Sequence, residues 1–180
     1  MLHMNTEETL DTTRLNSVLP SSDTALRAEV FVRSLAPVSR KRTQDELVDK
    51  LECLAETGGL TDVDLLVWGD SVCTAGPLSE VGSGERIVDA IGEFYALAAG
   101  SQISMAPFFR TSEVSAELTG ESFHRIIPPS QCIALYDESE LVAVFPSLID
   151  GVAYTPREAL AYLERRQEET PPAPMVDESA

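Results

Sequence analysis

DVDLLVWG, Asp62 to Gly69, is the stretch on which the fold turns. Val63 alternates with Asp62 and Asp64 before Leu65, Leu66, Val67 and Trp68 run together. A short apolar run of β-forming residues closed by glycine predicts a strand. It is apolar enough to be covered on both faces, as parallel strands are, which predicts a central position in the sheet.

Working outward, AEVFVRSL (28–35) predicts an earlier strand, with Val30 and Val32 alternating with Glu29, Phe31 and Arg33 until Pro37 stops it. Between the two strands, Thr43 and Glu46 have capping-box spacing, and Leu47, Val48, Leu51 and Leu54 form one stripe, so a helix is expected up to Gly58-Gly59. After a glycine-rich loop (69–84), Ser83 can cap a helix carrying Ile87, Val88, Ile91, Phe94, Tyr95 and Ala98 on one face, ending at Gly100. QISMAPFF (102–109) reads as a third strand, and EVSAELTGESFHR (113–125) as a short or broken helix around Gly120. QCIALY, an Asp-Glu-Ser connection and LVAVF make a hairpin after Pro128-Pro129. Thr155, Pro156 and Glu158 then launch a terminal helix to about residue 166. Residues 1–27 read as a disordered arm and 167–180 as a disordered acidic, proline-rich tail, leaving 28–166 as a single α/β domain.

Composition narrows the function classes. The 180 residues carry 30 acidic and 13 basic side chains, for a net charge of -17, and only Lys41 and Lys50 are lysines. Such a hydrated carboxylate surplus suits a high-salt cytoplasm, where charges are screened within a few Å. It also disfavours nucleic acid without excluding it, because phosphate backbones repel an acidic surface. The three cysteines lack the spacing of a disulfide framework or a zinc site, and no apolar run approaches the roughly 18 residues that span a bilayer. These features predict a cytoplasmic protein with no metal, cofactor or membrane partner.

The order βαβ, αβ, short helix, ββ, helix resembles the thioredoxin fold. That resemblance implies a three-layer domain with a mixed sheet of about five strands in the order βαβαβ(α)ββα. A ferredoxin-like sandwich or a small doubly wound sheet are the alternatives. It also implies that Pro128 or Pro129 occupies the family's cis-proline position, facing the active-site cysteines. VWGDSVCTAGP (67–77) falls where that family carries its cysteine pair, yet here Cys73 follows Trp68 by five residues and no second cysteine comes after it. Dithiol exchange needs two thiols within bonding distance, so only a single-thiol role for Cys73 remains, against a thiol that merely packs. Cys53 and Cys132 read as packing.

Among other candidates, Arg33 with Arg40, Lys41 and Arg42 clusters ahead of a helix start. There the side chains could hold an anion or pair with Asp45, Glu46 and Asp49. Trp68, Phe108, Phe109, Arg110, Pro128 and Pro129 lie near strand ends, where α/β sheets open pockets or simply pack. Gly82-Ser83-Gly84 lacks the rest of a phosphate-loop motif, and His124 with Glu121 and Ser115 or Ser122 lacks a nucleophile turn.

VFVRSLAP (30–37), VWGDSVC (67–73), PFF (107–109), LTGESF (118–123) and ALYDESELVAVFP (134–146) resemble an uncharacterised haloarchaeal family often labelled helix-turn-helix domain protein. That family brings no established activity and no catalytic residues with it. A helix-turn-helix needs a second helix where LTDVDLLVW stands, and that stretch reads as a strand. The leading expectation is a halophilic binding or regulatory module with Arg33 and Arg40 to Arg42 facing a protein partner or a small anionic ligand. The competing expectation is a degenerate thioredoxin-like single-thiol protein. An exposed LVAVF edge is open to homodimerisation by sheet extension.

Overall fold

The computed structural model describes residues 11–34, 37–73, 83–115 and 117–170. In chain order they form α1 (Thr13–Val18), β1 (Leu26–Arg33), α2 (Val38–Glu56), β2 (Leu60–Trp68), β3 (Val72–Cys73) and α3 (Ser83–Ala99). Then follow β4 (Ile103–Ser104), β5 (Arg110–Ser115), β6 (Ser122–Ile127), β7 (Gln131–Asp137), β8 (Glu140–Phe145), β9 (Ser147–Ile149), β10 (Val152–Tyr154) and α4 (Pro156–Glu169). The fold is mixed α/β, with the strands divided among a four-stranded sheet β2-β1-β7-β8 and two three-stranded sheets, β10-β9-β4 and β3-β6-β5, rather than gathered in one sheet of five.

β1 organises the main sheet. It pairs in parallel with β2, Val30 opposite Leu65, and antiparallel with β7, Val30 opposite Ile133. Alternation along a strand sends successive side chains to opposite faces. Ala28 and Val30 therefore pack with Leu47, Leu51 and Leu54 of α2 and Leu160 and Leu163 of α4. Phe31 packs on the other side with Ile87, Ile91 and Phe94 of α3 and with Trp68. There Phe31 stacks on Trp68 at 4.8 Å between centroids, and Phe109 meets Trp68 and Phe94 edge-on at 6.0 and 6.1 Å. Each such buried ring contributes roughly 1.5–3 kcal/mol.

Several expectations are corrected. β2 is an edge strand, not a central one: β7 occupies the other side of β1, and Leu65 and Val67 stay 51% and 49% exposed. The predicted third strand shrinks to Ile103–Ser104, because Met105 to Phe109 form a turn in which Met105 O accepts from Phe108 N and Phe109 N. The predicted helix at 113–125 is instead the hairpin β5/β6, closed near Gly120, whose φ of +66° suits a residue without Cβ. The hairpin β9/β10 escaped prediction. Pro128 and Pro129 follow trans bonds; among the described residues the cis bonds are Ala106–Pro107 and Phe145–Pro146.

The helix starts differ in how well they were foreseen. The capping box of Thr155 and Glu158 forms as predicted, with Pro156 opening α4. That of Thr43 does not: α2 begins five residues earlier at Val38, and the Thr43 hydroxyl donates to Ser39 O at 3.3 Å. Residues 11–27, expected within a mobile arm, carry α1 and the start of β1, while residues 1–10 and the tail from 171 lie outside the described residues.

What holds the 11–25 segment down is α4. Leu15 and Leu19 are buried, and the Tyr162 hydroxyl donates to Asn16 Oδ1 at 2.6 Å. Arg166, itself buried, donates to Pro20 O, Ser21 O and Thr24 O at 2.6, 2.5 and 2.7 Å. A guanidinium fork satisfies three carbonyls that would otherwise be short of donors. Replacing it strands those carbonyls: Arg166→Ala is expected to lose about 3 kcal/mol in urea unfolding. Arg166→Lys recovers less than half, since an ammonium lacks the fork.

Candidate functional site

The structure gathers four of the predicted residues around the loop 128–130. Arg33 Nη2 donates to Pro128 O at 2.6 Å, Trp68 Nε1 to Pro129 O at 3.1 Å and Gln44 Nε2 to Ser130 O at 2.9 Å, so three successive carbonyls are each held by a side chain. Arg33 Nε is buried without a hydrogen bond and lies 3.5 Å from Asp70 Oδ1. Arg33 is thus largely committed to positioning this loop. Trp68 and Phe109 belong to the aromatic core, Phe108 packs partly buried against it, and Arg110 is exposed on β5.

Beside the clamp, a groove of about 360 Å³ opens between α2 and β2. Val32, Arg33, Lys41, Val48, Leu65 and Val67 line it, with Asp45 and Asp49 on the α2 side. An edge strand with two half-exposed aliphatic side chains leaves both apolar surface and unpaired backbone groups next to this groove.

Arg40, Lys41 and Arg42 lie inside the first turns of α2, not in a loop ahead of it, and all three are exposed. No acidic residue sits in that first turn, so the positive end of the helix dipole meets three cations. Arg42 pairs with Glu46 at 3.3 Å, whereas Arg40 and Lys41 form no ion pair among the described residues. Arg40 and Lys41 thus oppose the helix dipole with no ion pair to offset it, which makes them candidates for a partner.

A second polar cluster was missed by sequence reasoning. Glu29 is 2% exposed on the α3 side of β1. Arg27 Nη1 reaches its Oε1 at 2.9 Å, and Arg86 of α3 pairs with the same oxygen. The Tyr136 hydroxyl lies 3.2 Å from Glu29 Oε2 and 3.1 Å from Glu93 Oε2, so its single proton serves one carboxylate at a time. Arg27 also sits 4.3 Å over the Tyr136 ring. Burial and the Glu29 charge push the Tyr136 hydroxyl well above its ordinary value. The signal was present in the sequence: Glu29 shares a face with Phe31, a core residue.

The cysteines separate by burial. Cys53 and Cys73 are exposed and Cys132 is buried, where burial pushes its thiol well above the ordinary value. Cys73 lies on β3 opposite Arg125. His124 is exposed on β6, opposite Glu113; Ser83 and Gly84 open α3, and Gly82 lies outside the described residues. Among the described residues no group of three or more His, Cys, Asp or Glu is placed to hold a metal ion, and no helix is long and apolar enough to cross a membrane.

A family described as "Helix-turn-helix domain" matches residues 20–168. No curated protein and no solved structure matches the chain. Among the described residues every two successive helices are separated by at least one strand, and LTDVDLLVW is β2, so no pair of helices joined by a tight turn occurs there.

Two measurements follow from the buried groups. Because Tyr136 holds its proton more tightly when folded, its contribution is complete below its ordinary value of 10.0 and is lost as pH rises beyond it. Tyr136→Phe is expected to cost about 1–2 kcal/mol at neutral pH, and the stability gap to wild type narrows above pH 10. In maleimide labelling of the native protein, Cys53 and Cys73 react while Cys132 reacts only after unfolding.

Proposed function

The chain belongs to this helix-turn-helix domain family, and from that membership and the groove beside α2 we propose that it is a regulatory, transcription-associated binding module that engages a protein partner. The observation carrying this reading is the junction of a basic helix start with exposed aliphatic side chains on an edge strand: Lys41 lines the same groove as Leu65 and Val67. Apolar surface rimmed by charge suits a protein surface better than a phosphate backbone. Asp45 and Asp49 beside Lys41, and the net charge of -17, weigh further against a nucleic acid.

The acid surplus and the two lysines support a halophilic, haloarchaeal cytoplasm as the setting. The frame β1-α2-β2, α3, β7-β8, α4, with helices on both faces of the sheet, supports a thioredoxin-like reading of the fold. The single-thiol alternative has the exposed Cys73 opposite Arg125 in its favour. A Cys73 thiol no more reactive towards maleimide in the native protein than the exposed Cys53 removes it.

The binding reading is tested with the full chain as bait in molar KCl. Reversal of Arg40, Lys41 and Arg42 to Glu is expected to cut recovered protein, whether other chains or untagged copies of this one, about tenfold, equivalent to about 1.4 kcal/mol. Unchanged recovery sinks the proposal. So does a loss confined to nucleic acid.

A further inference from the structure

We infer that the occupant of the α2/β2 groove is a second copy of this chain, joined by antiparallel pairing of β2 with β2 about a two-fold axis at Leu65. The inference rests on the groove being a protein-binding surface, and goes beyond it by naming the partner.

The first support is the edge itself. Sheets guard their edges with lysine, proline, bulges or covering segments. β2 runs for nine residues, LTDVDLLVW, without proline, lysine or glycine, and its one register irregularity against β1 is at its first residues. Its charges are Asp62, whose Oδ1 accepts from Val63 N at 2.9 Å and gives up that bond when the strands pair, and Asp64, which already meets Arg27 at 3.3 Å. The opposite edge, β8, is a poorer template, because Ala143, Val144 and Phe145 are buried and the β7/β8 ladder shifts register after Leu135. The LVAVF edge expected from sequence is therefore not the one favoured here.

The second support is self-complementarity. In antiparallel pairing, directly opposed residues share a face. A register centred on Leu65 sets Leu65 against Leu65 and Val63 against Val67 on the α2 side. On the α3 side it sets Asp64 against Leu66 and Asp62 against Trp68. No acid then opposes an acid, and the two half-exposed aliphatic side chains gain apolar partners.

The third support is charge on α2, which packs against β2. Along the flank lining the groove the order is Lys41, Asp45, Asp49, with Lys41 at the Val67 end. Adding a strand at the usual spacing of about 4.8 Å puts the two α2 helices next to each other on the same face of the joined sheet. They run antiparallel across the axis, so Lys41 of each copy faces Asp49 of the other, two attractive pairs set against a single Asp45–Asp45 approach at the axis. Lys41, which opposes its own helix dipole, thus acquires a partner.

Sedimentation equilibrium of the full chain in molar KCl tests this. Wild type is expected at twice the 19.5 kDa chain mass, and Leu65→Lys as a monomer with an unchanged near-ultraviolet spectrum. At the lowest KCl where wild type remains dimeric, Lys41→Glu and Asp49→Lys each weaken association about tenfold, and the double exchange restores it to within about threefold. A wild type that stays monomeric at millimolar concentration, a dimeric Leu65→Lys, or a double exchange no tighter than either single change overturns the inference. If the monomeric bait still recovers other chains, the binding reading stands and only the second copy falls.

Discussion

A strand that is paired on both edges and covered on both faces can hold a carboxylate only where cations and hydroxyls replace water, and Glu29 on β1 imposes that demand. Arg27 comes from the same strand, Arg86 from the first turns of α3, and Tyr136 from the neighbouring β7. Satisfying one buried charge therefore ties helix to sheet and strand to strand. Tyr136 extends the network to Glu93, one turn before the end of the apolar face that α3 presents to Phe31.

At the other end of β1 the same logic operates with neutral acceptors. Arg33, Trp68 and Gln44, from β1, β2 and α2, each hold one carbonyl of the segment that leads into β7. The antiparallel partner of β1 is thereby set in place before its ladder begins. Once β7 fills that side of β1, β2 is left at the edge, and the groove beside α2 is a direct result. The open edge beside α2 and the interactions that stabilise the sheet are two consequences of one strand order.

Membership of a helix-turn-helix domain family and the absence of adjoining helices among the described residues meet at β2. The residues that a helical pair would use for its second member are extended and bonded to β1 over the whole length of the strand. On this side the described residues present a strand edge flanked by one helix, a geometry in which main-chain hydrogen bonding and apolar contact lie side by side.

Local pattern was enough for β1, α3, the β7/β8 hairpin and the α4 capping box, because each is specified by periodicity or by a motif that acts within a few residues. It also singled out Arg33, Trp68 and the two prolines, which the fold brings together, and Arg40 to Arg42, although as a loop rather than the start of α2. It could not place DVDLLVWG at an edge, since an apolar run reads alike whether one or both sides of the strand are occupied; that depends on β7, more than sixty residues away. Nor could it separate the Thr43 box, overridden when α2 began at Val38, from the Thr155 box that forms, or show Arg166 reaching back to Pro20. By itself the sequence determined the class of fold, the acidic character and the residues worth watching. Which of them are buried, paired or left facing outward was decided by the tertiary structure, because burial and pairing are properties of neighbours that the chain supplies from far away.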